Sequence, residues 1–164
     1  MFGLFSKKKS DTSARPQSSG DPHFPGERFA LSKGSAQGMP VVAMINTAYK
    51  NYTFGKEFPC HTEIEIAIQD KTAEGLTSSK EADHLNKVED LLLEELGKAG
   101  LKVHFIARQT WNGKRILDWY TNDRALTDTT LRTCIERSLL ERPCTYNLKD
   151  EPGWETSKAF LQNF

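Results

Sequence analysis

The stretch TEIEIAIQD alternates between apolar and polar positions. Ile64, Ile66 and Ile68 fall on one side of an extended chain, and Glu63 and Glu65 fall on the other. Alternation with a period of two is typical of a β-strand with one buried face and one solvent-exposed face. The pattern therefore predicts a strand whose isoleucines lie beneath the elements that cover the sheet.

A longer period follows, in which apolar residues recur every three or four positions. This spacing predicts a helix over residues 80–98, and Ser78 and Glu81 have the spacing of a capping box at its start. Its inward-facing stripe consists of Leu85, Val88, Leu92 and Leu96. A second helix is predicted over residues 125–140, and a short terminal helix in the stretch GWETSKAFL. The chain therefore combines both kinds of secondary structure.

Two pairs of short β-prone runs are separated by turn residues. ERFALS and GMPVVAMINTAY enclose the turn KGSAQG, which predicts an N-terminal β-hairpin. LKVHFIARQT and KRILDWYT enclose WNGK, in which Asn112 and Gly113 favour a type I′ turn because both accept a positive φ. The segment CTYNLKD predicts a last short strand.

From the isoleucine strand onward, the predicted elements follow the order β-α-β-β-α-β. This order predicts an α+β fold with a ferredoxin-like antiparallel sheet and two helices on one face. The N-terminal β-hairpin precedes this unit, and the short C-terminal helix follows it. How the hairpin joins the sheet stays open at this point.

The 164 residues divide by composition into a tail and one domain. Residues 1–26 are rich in serine, proline, glycine and lysine and predict a disordered basic tail, whereas residues 27–164 predict a single α+β domain. The first 20 residues hold four basic residues and one acid, a net charge of +3, so the other 18 basic and 21 acidic residues give −3. A slightly acidic domain binds phosphate backbones poorly, which disfavours a nucleic-acid partner.

Sequence motifs for enzymatic or metal chemistry are missing. The three cysteines lack CxxC spacing, and Cys60 and His61 are neighbours that point to opposite faces of a strand. No GxSxG elbow, HExxH helix or phosphate-binding glycine loop occurs. We therefore expect no metal and no cofactor, and we favour a protein without enzymatic activity.

The sequence also bears on location. No apolar run reaches the roughly 18–20 residues of a transmembrane helix, and the sparse cysteines fit a reducing compartment, so a cytoplasmic location is expected. Residues 2–9 combine Phe2, Leu4 and Phe5 with three lysines. This stretch is consistent with weak contact with an anionic membrane surface.

The second predicted hairpin has two faces. If Asn112 and Gly113 form the turn, the predicted register pairs Trp111 with Lys114, Gln109 with Ile116, Ala107 with Asp118 and Phe105 with Tyr120. The face with the more continuous apolar content is assigned to the space beneath the helices. That face consists of Val103, Phe105, Ala107, Ile116 and Tyr120. Asp118 shares it and would be a buried carboxylate that needs a partner. The opposite face, predicted to be open, holds His104, Ile106, Arg108, Arg115, Leu117 and Trp119.

The open face predicts a function in protein binding. Exposed apolar residues mixed with arginines are typical of interaction sites. The predicted partner-binding residues are Ile106, Arg108, Arg115, Leu117 and Trp119. Glu63 and Glu65 would lie on the same open face and pair with Arg115 across neighbouring strands. We therefore interpret the protein as a non-enzymatic protein-binding or regulatory module, with a protein partner or a second copy of itself.

Two alternatives stay open. One is a small-ligand-binding protein or a hydrolase-like enzyme, with a cleft near the N-terminal hairpin, the stretch KTAEGLTSS and the C-terminal helix. A pocket there lined by Asp118, His104 or Cys60, with a strongly shifted pKa, would favour it. The other is a weak RNA-associated regulator, which the glutamates of the central strand and the missing RNA-recognition signature disfavour.

Several stretches resemble a known family when taken in order. They are FPCHTEIEIAI, GLTSSKEADHLNKVEDLLLEEL, VHFIARQTWNGKRILDWYTND and DEPGWETSKAFL. With an acidic pair at Glu89 and Asp90 and a closing acidic-aromatic segment at Asp150 and Trp154, the chain resembles the bacterial family called domain of unknown function 695. This resemblance supplies no catalytic residues. It implies a fold similar to that of the protein inhibitor of ribonuclease E called regulator of ribonuclease activity B, and so favours a protein-binding regulator.

Overall fold

The computed structural model describes residues 20–162 and residue 164. Within these residues the chain forms six strands and three α-helices. They are β1 (Phe29–Ala36), β2 (Met39–Asn46), β3 (Cys60–Ala67), α1 (Ser79–Lys98), β4 (Val103–Trp111), β5 (Lys114–Thr121), α2 (Arg124–Glu136), β6 (Cys144–Asp150) and α3 (Glu155–Leu161). Most of the predicted basic tail, including the membrane contact predicted at residues 2–9, lies outside the described residues.

All six strands belong to one antiparallel sheet, with the order β1-β2-β4-β5-β3-β6. The N-terminal hairpin joins the sheet through β2, which pairs with β4. The predicted α+β class, the N-terminal hairpin and the C-terminal helix are confirmed. The sheet has six strands rather than the four of a ferredoxin-like sheet.

The two hairpin turns are tight. Asn112 and Gly113 have φ values of 50° and 73°, as the type I′ prediction requires. The first hairpin turns at Gln37 and Gly38, with φ values of 52° and 77°. The longer turn predicted for KGSAQG is wrong, because its first four residues continue β1.

Helices α1 and α2 cover one face of the sheet, which we call the helix face. Its core joins Ile64 and Ile66 of β3 to Leu85, Leu92 and further residues of both helices. Ser78 caps α1 by accepting a hydrogen bond from the Glu81 N–H at 3.2 Å. The predicted capping box is only half formed, because the Glu81 carboxylate instead accepts hydrogen bonds from the Gln69 N–H and from Arg142.

The opposite face, which we call the second face, carries its own core. Helix α3 and the segment between β2 and β3 cover the end of this face that is farther from the turn at Asn112 and Gly113. There, Tyr49, Phe58 and Trp154 pack on Tyr120 and further residues of the sheet. The Trp154 and Tyr120 rings stack with their centroids 4.1 Å apart. Residues 20–28 also contact this end, since Phe24 stacks on His104 at 4.6 Å. The sheet is therefore buried on both faces over part of its area.

Candidate functional site

The five residues predicted to bind a partner do not form an open patch. Leu117 and Trp119 are 0% exposed and Arg115 is 4% exposed, and all three lie beneath α1 and α2 on the helix face. Ile106 is also fully buried, but on the second face. The predicted exposure of these four residues is wrong and Arg108 is only partly exposed, so the open surface that favoured a binding role for them is absent.

A β-bulge at Ile106 separates two registers within the second hairpin. On the side of the bulge next to the turn, Ala107 pairs with Asp118 as predicted. On the other side, Phe105 pairs with Trp119 instead of Tyr120. The side chains of Phe105 and Trp119 therefore both face the helices. The assignment of faces is reversed for β5 and for the half of β4 next to the turn, whereas Val103 and Phe105 face the helices as predicted.

The two arginines take part in a polar network under α1. Arg108 Nη1 donates to Asn86 Oδ1 at 2.8 Å and to Glu89 Oε2 at 3.1 Å, and Arg115 Nη1 donates to the same Asn86 oxygen at 2.8 Å. Burial, together with the neighbouring Arg108 charge, lowers the pKa of Arg115 to about 10. The predicted pairing of Arg115 with Glu63 or Glu65 is wrong. These arginines compensate the buried Glu89 carboxylate and anchor α1.

His104 lies inside an aromatic cluster on the second face. Its Nδ1 is 2.8 Å from the Tyr49 hydroxyl, and the Tyr52 hydroxyl is 3.3 Å from its Nε2. Burial lowers the pKa of His104 to about 3. The ring is therefore neutral over most of the pH range and positions the two tyrosines.

A row of polar side chains crosses the middle of the second face. His61 Nε2 lies 3.0 Å from Asp118 Oδ1, and Gln109 Nε2 donates to Asp118 Oδ2 at 3.1 Å. Asp118 is thus buried as predicted, but its partners lie on the second face. Burial raises the pKa of the adjacent, half-buried Glu63, and the Asp118 charge adds to the increase. Within the described part of the chain, no group of histidine, cysteine and carboxylate side chains could hold a metal ion.

Glu151 holds α3 against the sheet. Its carboxylate accepts hydrogen bonds from the Tyr120 hydroxyl, from Lys149 Nζ at 2.9 Å and from the Thr156 N–H at 2.9 Å. Burial alone would raise the pKa of Glu151, but these hydrogen bonds lower it to about 2. The ionised carboxylate therefore contributes to the stability of the C-terminal helix.

We expect Glu151→Gln to lower the free energy of unfolding at pH 7 by about 2 kcal/mol, because it weakens hydrogen bonds to a charged group. A carboxyl whose pKa falls on folding stabilises the protein above pH 4.5, and this stabilisation is lost as the pH falls from 4.5 toward 2. Urea unfolding at pH 7 and pH 3 should therefore show a smaller difference between the variant and the wild type at pH 3. Glu155→Gln, on the exposed side of α3, is the control. An equal difference at both pH values would contradict the role of the charge.

Between the polar row and the turn at Asn112 and Gly113, the second face is only partly covered. Trp111 of β4 and Ile116 of β5 are half-buried there, and the neighbouring β2 adds Val41. We call these three residues the Trp111 patch. An ion pair between Lys114 Nζ and Glu65 Oε2, 2.5 Å apart, lies at its margin. The patch is an apolar surface rimmed by polar side chains, the composition of many interaction sites.

A cavity of about 370 Å³ lies beside this patch. Three turns line it, at residues 38–40, 71–75 and 112–113. The turn at residues 71–75 is held to the second hairpin by a hydrogen bond of 3.0 Å from the Gly113 N–H to the Gly75 carbonyl. The cavity agrees in place with the predicted cleft near the N-terminal hairpin, but α3, Asp118, His104 and Cys60 do not line it.

A model of one protein family matches residues 30–162, from β1 to the end of α3. The chain belongs to the family of unknown function DUF695. The family resemblance inferred from the sequence is thereby confirmed for DUF695. No curated protein and no solved structure matches the chain. The similarity of this DUF695 chain to regulator of ribonuclease activity B stays a prediction.

No helix in the described part of this DUF695 chain has the length and apolar character needed to cross a membrane.

No residue of the Trp111 patch was among the partner-binding residues predicted from the sequence. The register that pairs Gln109 with Ile116 and Trp111 with Lys114 was predicted correctly. With the opposite assignment of faces, the same register would have identified Trp111 and Ile116.

Proposed function

We propose that the protein is a non-enzymatic protein-binding or regulatory module that acts through the exposed part of the second face. The observation that carries this proposal is the Trp111 patch, in which a tryptophan and two aliphatic side chains remain partly exposed on the uncovered part of the second face. Tryptophan is among the residues that contribute most to protein interfaces. The patch replaces the buried residues Leu117 and Trp119 as the candidate contact surface.

The charge next to the patch indicates which partners fit. The Glu63 side chain is half-buried, and its carboxylate makes no hydrogen bond or ion pair with any described residue. Burial and the Asp118 charge both oppose its ionisation. An arginine or lysine of a partner would relieve this cost and form a charge-assisted hydrogen bond. We therefore propose a partner segment that places a basic side chain on Glu63 and an apolar side chain on Trp111.

The combined variant Trp111→Ala and Glu63→Lys tests this proposal. Loss of a central tryptophan commonly costs 2 kcal/mol or more of binding energy, about a 30-fold loss of affinity, and the introduced lysine would repel the basic partner. The tagged full chain is used to capture proteins from cells that express it naturally, with quantitative mass spectrometry. We expect proteins captured by the wild type to be lost with the variant.

The matched control combines Leu139→Ala and Glu136→Lys, which likewise remove an apolar side chain and reverse an acidic charge, but on the exposed surface at the end of α2. This control should capture the same proteins as the wild type. If the Trp111 and Glu63 variant captures them equally well while its far-ultraviolet circular dichroism is unchanged, the second face is not the contact surface.

A second candidate function is the binding of a small ligand, which the cavity between the three turns favours. Lys71 and Thr72 supply a cation and a hydroxyl there, and Glu74 supplies a carboxylate. The lining contains no serine, cysteine or histidine that would serve a hydrolase mechanism. Weak RNA association has less support, because Glu63 and Glu65 lie on the exposed sheet area.

The remaining expectations from the sequence complete the proposal. The strands β4-β5-β3-β6 are neighbours in an order that supports a ferredoxin-like unit, with β1 and β2 added at one edge. A single domain over residues 27–164 fits this continuous sheet. A cytoplasmic location is supported by Cys60, Cys134 and Cys144, which are all free thiols.

A further inference from the structure

The strand β1 forms one edge of the sheet and presents an unpaired row of backbone groups. The Thr47 N–H donates a hydrogen bond to the Arg28 carbonyl. This bond determines which residues of β1 direct their backbone groups toward β2 and which direct them outward. Ala30, Ser32, Gly34 and Ala36 therefore direct their N–H and C=O groups toward β2. Phe29, Leu31, Lys33 and Ser35 direct theirs away from the sheet, where no described residue pairs with them.

The opposite edge, β6, is protected against pairing. Its outward-directed carbonyl at Leu148 accepts a hydrogen bond from Arg124 Nη2 at 3.2 Å, and Arg124 Nη1 also pairs with Asp150 at 3.0 Å. This places a charged side chain across the edge, a common way to prevent association between strands. The β1 edge has no proline, no bulge and one charged residue, Lys33.

The side chains of β1 are also suited to contact. Leu31 is 47% exposed, the largest value among the large hydrophobic side chains of the described residues. It pairs in register with Met44 on the helix face. On the second face, β1 carries only the small residues Ala30, Ser32, Gly34 and Ala36. A second strand can therefore approach closely on one face and gain apolar contact on the other.

The β1 sequence is complementary to itself in one antiparallel register. If Ser32 lies opposite Ser32 of a second copy, Leu31 lies opposite Lys33, and Phe29 lies opposite Ser35. These four outward-directed residues then form four hydrogen-bonded pairs across the two-fold axis, about eight backbone hydrogen bonds. The register also keeps each Lys33 beside the aliphatic Leu31 instead of the other Lys33, which would be repulsive.

We propose that two copies of the protein pair through β1 in this Ser32-centred antiparallel register and form one continuous sheet. The contact between two eight-residue strands is smaller than the interfaces of permanent dimers, so the association is reversible and depends on concentration. A two-fold axis perpendicular to the sheet places both second faces on the same side. The dimer then presents two Trp111 patches in one plane, which would raise its avidity for a partner with repeated sites.

Sedimentation velocity of the full chain over a wide concentration range tests the dimer. We expect the wild type to shift from monomer toward dimer as its concentration rises. Leu31→Pro removes an N–H that points away from the sheet and leaves the β1–β2 hydrogen bonds in place, so it should fold and remain monomeric. Leu139→Ala, which removes an exposed leucine on the helix side, should associate like the wild type.

Cysteine cross-linking tests the register and does not depend on the proline variant. Ser32→Cys would place two sulfurs across the axis, where directly opposed residues have a Cα separation of about 4.5 Å, within the range for a disulfide. Ala30→Cys lies on the same face but opposite Gly34 of the other copy, so it should not cross-link. We expect a disulfide-linked dimer only with Ser32→Cys under mild oxidation.

The opposing results are equally specific. A wild type that stays monomeric at all concentrations, with no cross-link at Ser32→Cys, would overturn the proposal. Association that persists in Leu31→Pro would place the contact on another surface, and equal cross-linking of Ala30→Cys would exclude this register. Binding of β1 only to an extended peptide of another protein would also replace self-pairing. None of these outcomes depends on Trp111 or Glu63.

Discussion

Trp119→Ala is expected to lower the free energy of unfolding by about 3–5 kcal/mol, the range found when a buried aromatic side chain is removed from a core. Trp119 is fully buried between the sheet and the helices, next to Leu117 and Phe105. Removing the indole ring leaves a cavity that the surrounding helices cannot fill without moving. The measurement is urea-induced unfolding followed by circular dichroism, with the midpoint and slope compared to those of the wild type.

Trp111→Ala is the matched control, because it makes the same change on the partly exposed side of the same hairpin. We expect it to cost about 1 kcal/mol or less, since Trp111 is half-buried. The contrast between the two variants tests the assignment of faces. Nearly unchanged stability of Trp119→Ala, with a large loss for Trp111→Ala, would mean that the hairpin faces the other way.

Acid is expected to destabilise the fold through His104. Burial lowers the pKa of this side chain from 6.5 to about 3. The unfolded chain therefore binds a proton as the pH falls below 6.5, whereas the folded protein does not until the pH approaches 3. The stability that His104 contributes is fully present above pH 6.5 and decreases as the pH falls from 6.5 to 3, by about 4 kcal/mol in total.

Replacing His104 with glutamine isolates this contribution, because glutamine can still hydrogen-bond to the Tyr49 hydroxyl. The variant should be less stable than the wild type at pH 7, and the gap should narrow or close toward pH 4. His84→Gln, on the exposed side of α1, should leave the pH dependence unchanged. If urea unfolding between pH 7 and pH 4 gives parallel curves for the wild type and His104→Gln, the buried imidazole is not the source of the acid sensitivity.

The secondary structure could be predicted from periodicity because each element has a regular pattern. The alternating isoleucines of β3 are buried at Ile64 and Ile66, and the segment CTYNLKD coincides with β6. The helix predicted over residues 80–98 begins one residue earlier, at Ser79. The second helix ends at Glu136 instead of residue 140, since Arg137 and Ser138 leave the helical conformation.

The faces of the second hairpin could not be predicted in the same way. The comparison of apolar content assumed that one face of the sheet is open, but Tyr120 and Ala107 are buried beneath α3 and its neighbours. The helix face in turn contains Arg115, which donates a hydrogen bond to Asn86 and whose charge is favoured by the Glu89 carboxylate of α1. When both faces bury apolar residues and charged groups, hydrophobicity no longer distinguishes them.

The candidate site depended on this choice of faces. The hairpin register near the turn follows from Asn112 and Gly113 alone, so the pairing of Trp111 with Lys114 was accessible from the sequence. The extent to which α3 and the β2–β3 segment cover the second face was not, because it depends on contacts between residues distant in the chain. Trp154, for example, donates its indole N–H to the Gly55 and Phe58 carbonyls.

The bulge at Ile106 limits which changes in length β4 can accept. A strand that lost this one residue would pair regularly with β5, and every other side chain of β4 would keep its face, because Phe105 and Ala107 already point to opposite faces. Loss of one residue outside the bulge would instead move Arg108 into the apolar cluster around Tyr120, or His104 into the core beneath α1. There, removal of two residues keeps the alternation, whereas removal of one does not. Homologous chains that share this sheet should therefore differ in length at the turns, at the bulge itself, or by pairs of residues elsewhere within β4.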